Sequence, residues 1–212
     1  MNFPATSITS EDLLLVSDRP LIAAMNPRWD EAAILLCQEQ DGLKSPFAQR
    51  REWRPGEAPA PFTTILGEIV AASVDERAMA ELLAAWVEAR GHRGPIHVYS
   101  SMAPSVGRSE GELRRALVDT AIDVRTELRG LQRRKSRRAI LRSIHDRISH
   151  ALLGQRLFVH PQAAPTATNV LHDFCTWDLR RRDPREAIEV DPLLDALSIY
   201  AEAAFTADGA LR

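Results

Sequence analysis

Apolar residues recur at helical spacing along much of the chain. The clearest case begins with a capping box at residues 73–76 and ends at residues 90–91. Between these signals Met79, Leu83 and Trp86 fall on one face of a helix. The pattern therefore predicts an amphipathic helix whose apolar face packs against the rest of the protein.

Other capping signals predict further helices. Asn26 followed by Pro27 resembles a helix start, with the apolar residues of 29–40 behind it. Residues 62–72 are interpreted as a shorter helix. The remaining predicted helices start at a capping box at 109–112, at Thr168 or Asn169, and at Asp191-Pro192.

A long amphipathic stripe in the middle of the chain is interrupted. From Leu113 to Leu131 apolar residues recur at steps of four or three, but residues 132–138 contain no large apolar side chain. The pattern resumes out of phase at Ile140. Because the position in phase with the first stripe is Lys135, we predict a break or kink near Gly130.

Strand signals are few and short. We predict strands at residues 96–99 and 157–159, and we interpret residues 13–16 as helical because a cap-like sequence precedes them. The predicted fold class is therefore mainly α, a compact bundle of about seven helices with at most two or three short strands. We expect a single domain over residues 1–212, with a possible subdivision near 55–61 or 130–138.

The composition is that of an ordinary globular protein. The 212 residues are 45% hydrophobic and 26% charged, with a net charge of −2, which excludes a chain that coats nucleic acid through overall positive charge. Two isolated cysteines and the absence of a long apolar run predict a cytoplasmic protein without a membrane segment or a disulfide framework. Arginine outnumbers lysine 25 to 2, as in proteins encoded by bacterial genomes rich in G and C.

The charge is distributed unevenly along the chain. Residues 111–147 carry 11 basic and 5 acidic groups, whereas the flanking parts are acidic. Seven basic residues fall within residues 129–142, the basic segment, with no acidic residue among them. They are the predicted nucleic-acid-binding residues: Arg129, Arg133, Arg134, Lys135, Arg137, Arg138 and Arg142.

The basic segment supports two non-enzymatic hypotheses. Like charges at this density repel one another, and an anionic partner would relieve that repulsion. Phosphate groups match the fork of the arginine side chain. The first hypothesis is therefore an arginine-rich protein that holds a nucleic-acid backbone, either alone or as a subunit of a larger assembly. The alternative is an adaptor subunit that docks on an acidic protein partner. Neither hypothesis requires a cofactor.

Adjacent His-Asp pairs support a third hypothesis. His145-Asp146 and His172-Asp173 resemble the paired residues of the all-α HD phosphohydrolases, in which such a pair ligates a metal ion. The resemblance implies a small metal-dependent hydrolase with outer ligands from His92 or His97 and from Asp191 or Asp195. Because the two-residue motif arises easily by chance, we assign neither a metal site nor catalytic residues from it. His172 and Cys175 also share a helix face, but two ligands do not make a zinc site.

Overall fold

A five-stranded mixed sheet forms the centre of the molecule, which we describe from a computed structural model. The described residues are 15–26, 31–42, 59–100, 110–120, 137–176 and 192–206, together with 209 and 211. The predicted mainly α bundle, and with it the α-helical description of the chain, is therefore wrong. The strands are β1 (Leu21–Asn26), β2 (Glu31–Gln40), β3 (Phe62–Ala72), β4 (Ile96–Ser100) and β5 (Leu157–Val159). The helices in this part of the chain are α1 (Glu76–Ala89), α2 (Glu110–Asp119), α3 (Arg137–Leu153), α4 (Pro165–Thr176) and α5 (Pro192–Ala204).

The strands lie in the order β4-β1-β2-β3-β5 across the sheet. β2 is antiparallel to both β1 and β3, whereas β4 runs parallel to β1 and β5 runs parallel to β3. Met25 of β1 lies opposite Ser100 of β4, and Asn26 lies opposite Ala33 of β2. The carboxyl ends of β1 and β4 therefore meet at one edge of the sheet, which is where open α/β sheets commonly bind ligands.

Two of the predicted helices are strands of this sheet. Residues 29–40 and 62–72 were expected to be helical, but they contain β2 and β3. Nearly every position of β2 and the first six positions of β3 are buried. A strand that is buried on both faces has a continuous apolar sequence, which periodicity does not distinguish from a buried helix. Asn26, which resembles a helix cap in the sequence, is the last residue of β1.

Predictions for the short elements and for two helices are confirmed. β4 and β5 occupy the two predicted strand positions, and α5 begins at Pro192 as predicted. Helix α1 also follows the prediction, but its N-cap is Asp75, whose side chain accepts a hydrogen bond of 2.8 Å from the Ala78 amide. No helix among the described residues is long and apolar enough to span a membrane.

The sheet has a separate apolar core on each face. On the α1 face, Ala23 and Leu36 pack against Met79 of α1 and Leu113 of α2. On the opposite α5 face, the alternate strand residues Ala24 and Leu35 pack in one core with three helices. Those helices contribute Ile148 of α3, Leu171 of α4 and Leu197 of α5. Side chains of alternate strand residues therefore decide which group of helices each position faces.

Candidate functional site

The candidate site lies at the carboxyl end of β1, on the α5 face. Ala24 belongs to the core of this face, and Asn26, two residues further along the strand, points to the same side. The Asn26 amide nitrogen Nδ2 donates a hydrogen bond of 3.4 Å to the carboxylate oxygen Oδ2 of Asp195 in α5. Asn26 is 5% exposed, so its amide faces Asp195 rather than bulk water.

The start of α5 places Asp195 at this strand end. Pro192 occupies the first helical position, where a missing N–H is harmless, and Asp195 follows in the first turn. A carboxylate in the first turn of a helix is stabilised by the positive end of the helix dipole. Pro192 thus fixes the helix start, and with it the position of Asp195 near the end of β1.

The pair of Asn26 and Asp195 carries one negative charge. The Asn26 amide offers the carboxylate a hydrogen-bond donor and adds no second negative charge. A second carboxylate at position 26 would repel Asp195 across the same short distance. The described residues contain no group of three or more His, Cys, Asp or Glu side chains placed to hold a metal ion.

The basic segment remains a prediction. Arg129, Arg133, Arg134 and Lys135 lie outside the described residues. Arg137, Arg138 and Arg142 belong to α3, but the structure describes the backbone of α3 at these positions and not their side chains.

The His-Asp pairs do not form a joint site in the part of the chain that the structure describes. His145 Nδ1 lies 3.7 Å from the carboxylate of Asp146, and His172 Nδ1 lies 3.4 Å from that of Asp173. The second pair is exposed, with 59% of the His172 side chain and 85% of the Asp173 side chain accessible. The His145 ring instead makes an edge contact with Phe174 at 5.3 Å between ring centroids.

The positions of the other proposed metal ligands also argue against an HD-like hydrolase. His92 is buried beyond the end of α1, His97 lies on β4, and Asp195 pairs with Asn26. Asp191 and the side chain of Cys175 lie outside the described residues. Together with the mixed sheet, which an all-α hydrolase lacks, these positions give the HD resemblance no structural support.

Sequence reasoning missed the pairing of Asn26 with Asp195. Asn26 was interpreted as a helix cap, and Asp195 was considered only as a possible outer metal ligand. The two residues are 169 positions apart in the chain, and only the sheet brings them together. The available signal was a polar residue at the end of an apolar strand, combined with an acidic residue just inside a helix start.

Comparison with known proteins gives a likeness in structure but not in sequence. No protein family model matches the chain, and no curated protein matches it. Among solved structures, the nuclease domain of the P22 large terminase is similar with a TM-score of 0.53 and 13% sequence identity, over 93% of this chain and 87% of that domain. RuvC from Thermus thermophilus is a looser match, with a TM-score of 0.36 and 14% identity over 86% of this chain and 92% of RuvC. The terminase comparison shows a shared fold for nearly the whole chain.

Proposed function

We propose that this chain binds nucleic acid where β1 and β4 end, a place we call the carboxyl edge, and that it holds the nucleic acid without cleaving it. The observation that carries the proposal is the neutral amide of Asn26 beside Asp195, in a chain with the fold of a terminase nuclease domain. The fold supports the class of ligand, and the neutral amide, which is not an anionic metal ligand, supports a site without metal-dependent hydrolysis.

The fold places the proposed binding edge. The similar domain is named as a nuclease, so its substrate is nucleic acid. In open sheets of this kind, ligands bind outside the carboxyl ends of the parallel strands. Asn26 ends β1 at this edge, and Ser100 ends the neighbouring parallel strand β4. We therefore assign the phosphate backbone to the surface beside these two strand ends.

The described residues at this edge do not fit the metal centre that nuclease chemistry commonly uses. Many nucleases hold two divalent ions a few ångströms apart, and Mg²⁺ prefers carboxylate oxygens and phosphates. Here Asp195 supplies one carboxylate, and the neighbouring Asn26 turns its N–H group towards that carboxylate. Asn26 is neutral and therefore adds no second anionic ligand beside Asp195. We therefore derive no metal-dependent step for this chain.

Positive charge for the phosphates comes, in this proposal, from the basic segment. Its seven basic residues lie within residues 129–142, and the last three of them belong to the first part of α3. Arginine binds phosphate oxygens in a forked geometry, and each phosphate contact releases counterions. The acidic flanking parts of the chain would confine such binding to one face.

Fluorescence anisotropy with labelled DNA and RNA, over a range of salt concentrations, tests the binding. We expect affinity to fall steeply with salt, and we expect Ala at Arg133, Arg134, Arg137 and Arg138 to weaken binding by at least about tenfold and to flatten the salt dependence. The matched control replaces the four arginines at positions 180, 181, 182 and 185 and should have a much smaller effect. Equal losses in both variants would contradict the assignment to the basic segment.

A cleavage assay tests the second half of the proposal. Wild-type protein incubated with labelled single-stranded and duplex DNA in Mg²⁺ or Mn²⁺ should leave the substrate intact, and its affinity should be the same in EDTA. Cleavage that disappears in Asp195→Asn would show that the chain is a nuclease and would overturn non-hydrolytic binding. Failure to bind any nucleic acid, with capture of an acidic protein instead, would favour the adaptor alternative.

A further inference from the structure

A cavity of about 470 Å³ lies on the α5 face, towards the amino end of β1 and the carboxyl end of α5. Ile22, Tyr99 and His97 contribute the strand side, and Ala203 and Ala204 contribute the helix side. The volume is within the range of sites for small molecules, which is roughly 300–1,000 Å³. Asp195 and Ala203 are eight residues apart in α5, so the cavity is separated by about 12 Å along the helix from the Asn26–Asp195 pair.

Two wholly buried hydroxyl groups belong to residues that line this cavity. Thr63 of β3 and Tyr200 of α5 are each 0% exposed, and neither hydroxyl has a hydrogen-bond partner among the described residues. A buried hydroxyl without a partner costs about 1–3 kcal/mol, and proteins leave few such groups. A bound molecule with polar atoms would offer the partners that both hydroxyls lack.

The phenol of Tyr200 is a donor at neutral pH. Burial raises its pKa well above the ordinary value, so the phenol keeps its proton. The nearby Thr63 hydroxyl opposes this rise in pKa only in part. The cavity therefore combines a protonated phenol with an alcohol that can both donate and accept.

The walls favour a flat aromatic ligand with a polar rim. His97 and Tyr99 are partly exposed, lie two residues apart in β4 and therefore face the same side of the sheet. The small side chains of Ala203 and Ala204 leave space on the helix side. Arg19 and Glu39 supply opposite charges to the lining. Aromatic rings bind the faces of planar heterocycles, and a carboxylate accepts hydrogen bonds from sugar hydroxyls.

We propose that this cavity binds a nucleoside-sized aromatic heterocycle, with its ring against the β4 aromatic residues and its polar edge towards Thr63 and Tyr200. This inference goes beyond the binding of a polynucleotide at the carboxyl edge and does not depend on it. A free nucleoside carries the planar base and the sugar hydroxyls that the lining fits, without the phosphates that the basic segment would recognise.

Isothermal titration of the full chain with adenosine, guanosine, cytidine and uridine tests the proposal. We expect at least one nucleoside to bind with a dissociation constant on the order of 0.1 mM. Ala203→Trp should abolish binding because the indole fills the cavity from a partly exposed helix position. The matched control is Val118→Trp, which adds an indole at a position of α2 that is 67% exposed and remote from the cavity lining, and it should bind as the wild type does.

Thr63→Val and Tyr200→Phe separate ligand binding from folding. Each should weaken nucleoside binding by about 3- to 10-fold. Neither should lower the melting temperature, because the unliganded protein loses no hydrogen bond. Absence of binding by all four nucleosides at about 1 mM, or unchanged binding in Ala203→Trp, would overturn the proposal. Unchanged affinity in both hydroxyl variants would also overturn it. Asp195→Asn alters the carboxyl edge and should leave nucleoside affinity unaltered. Nucleoside binding is therefore tested independently of the carboxyl-edge proposal.

Discussion

The two ends of the strand pair β1–β2 each hold a buried amide, and the two amides differ in their hydrogen bonds. Gln38, near the amino end of β1, accepts from the Val16 amide at 2.8 Å and donates to the carbonyl oxygens of Val16 and Arg19 at 2.9 and 3.2 Å. Asn26, at the carboxyl end, contacts Asp195 through a single bond of 3.4 Å. The first amide ties the chain that enters β1 to the sheet. The second makes one longer contact, between the end of β1 and α5.

This difference separates structural from functional candidates among buried polar groups. A buried amide with a full set of backbone partners is costly to replace, because the partners remain buried when it is removed. An amide with one long bond to a carboxylate can be replaced with a small effect on stability. Its neutrality matters instead for which ions approach the site. The predictions below test this separation through the size of the loss that each substitution causes.

The largest loss is expected for Gln38→Leu. The leucine fills a similar volume but leaves the Val16 amide and the Val16 and Arg19 carbonyl groups without their partner. We expect the free energy of unfolding to fall by about 2–5 kcal/mol. Urea denaturation measures this change, with Glu39→Gln on the exposed neighbouring position as the control. A loss as small as the control's would contradict the structural role of Gln38.

Gly67→Ala tests close packing on the α1 face. A Cβ atom at Gly67 would lie 2.7 Å from the Trp86 ring, closer than carbon atoms pack, so the indole must shift. We expect a loss of about 1–3 kcal/mol in the free energy of unfolding. The same substitution should cost much less in a Trp86→Ala background, where the ring is absent. Equal costs in both backgrounds would show that the strain lies elsewhere.

The sequence predicts the parts of this fold whose signals are local. Pro192 after an acidic residue fixes the start of α5, and the short strand at residues 96–99 follows a turn signal. β2 and β3 were not predicted, because residues buried on both faces give the same apolar run in a strand and in a helix. Asn26 was misinterpreted for a related reason, since an asparagine before a proline resembles a cap wherever it occurs.

The candidate sites depend on contacts between distant segments. Asn26 meets Asp195 only because α5 packs across the strand end, and Thr63 shares a cavity with Tyr200 because the same helix crosses the sheet. Neither contact leaves a periodic trace in the sequence. The charge of the basic segment is visible in the sequence, but whether it forms a surface depends on side-chain positions that no sequence pattern specifies.

Asn26→Asp should cause a smaller loss than Gly67→Ala. It places two carboxylates at a contact of 3.4 Å, which raises the pKa of one of them. A carboxyl group whose pKa is raised on folding favours the folded state at low pH and disfavours it as pH rises through that pKa. We therefore expect the variant to match wild type at about pH 4 and to lose about 1 kcal/mol at pH 7. Added Mg²⁺ should restore the loss.

Thermal melts of Asn26→Asp in EDTA and in Mg²⁺ measure this effect, with Asn26→Ser as a neutral control. Restoration by Mg²⁺ in the aspartate variant alone would show that the wild-type amide is what keeps a metal ion from this edge. A variant that is equally stable at both pH values, with no response to Mg²⁺, would contradict the close approach of position 26 to Asp195.

The smallest effect is expected at His92, which lies beside the chain segment that Gln38 anchors. The amides of Arg93 and Gly94 both donate to the Ser17 carbonyl group, and the His92 side chain is buried next to them. Burial lowers its pKa from the ordinary value of 6.5, and nearby backbone groups oppose that shift only in part. Because the folded state disfavours the protonated ring, the stability that His92 contributes is present above pH 6.5 and declines as pH falls below it.

His92→Gln should therefore reduce the slope of stability against pH between about pH 6.5 and 5, whereas His172→Gln, at an exposed site, should change it less. If the slope in His92→Gln equals that of wild type, protonation of this ring does not affect folding, and the amino end of β1 is held by the Gln38 and Ser17 hydrogen bonds without it.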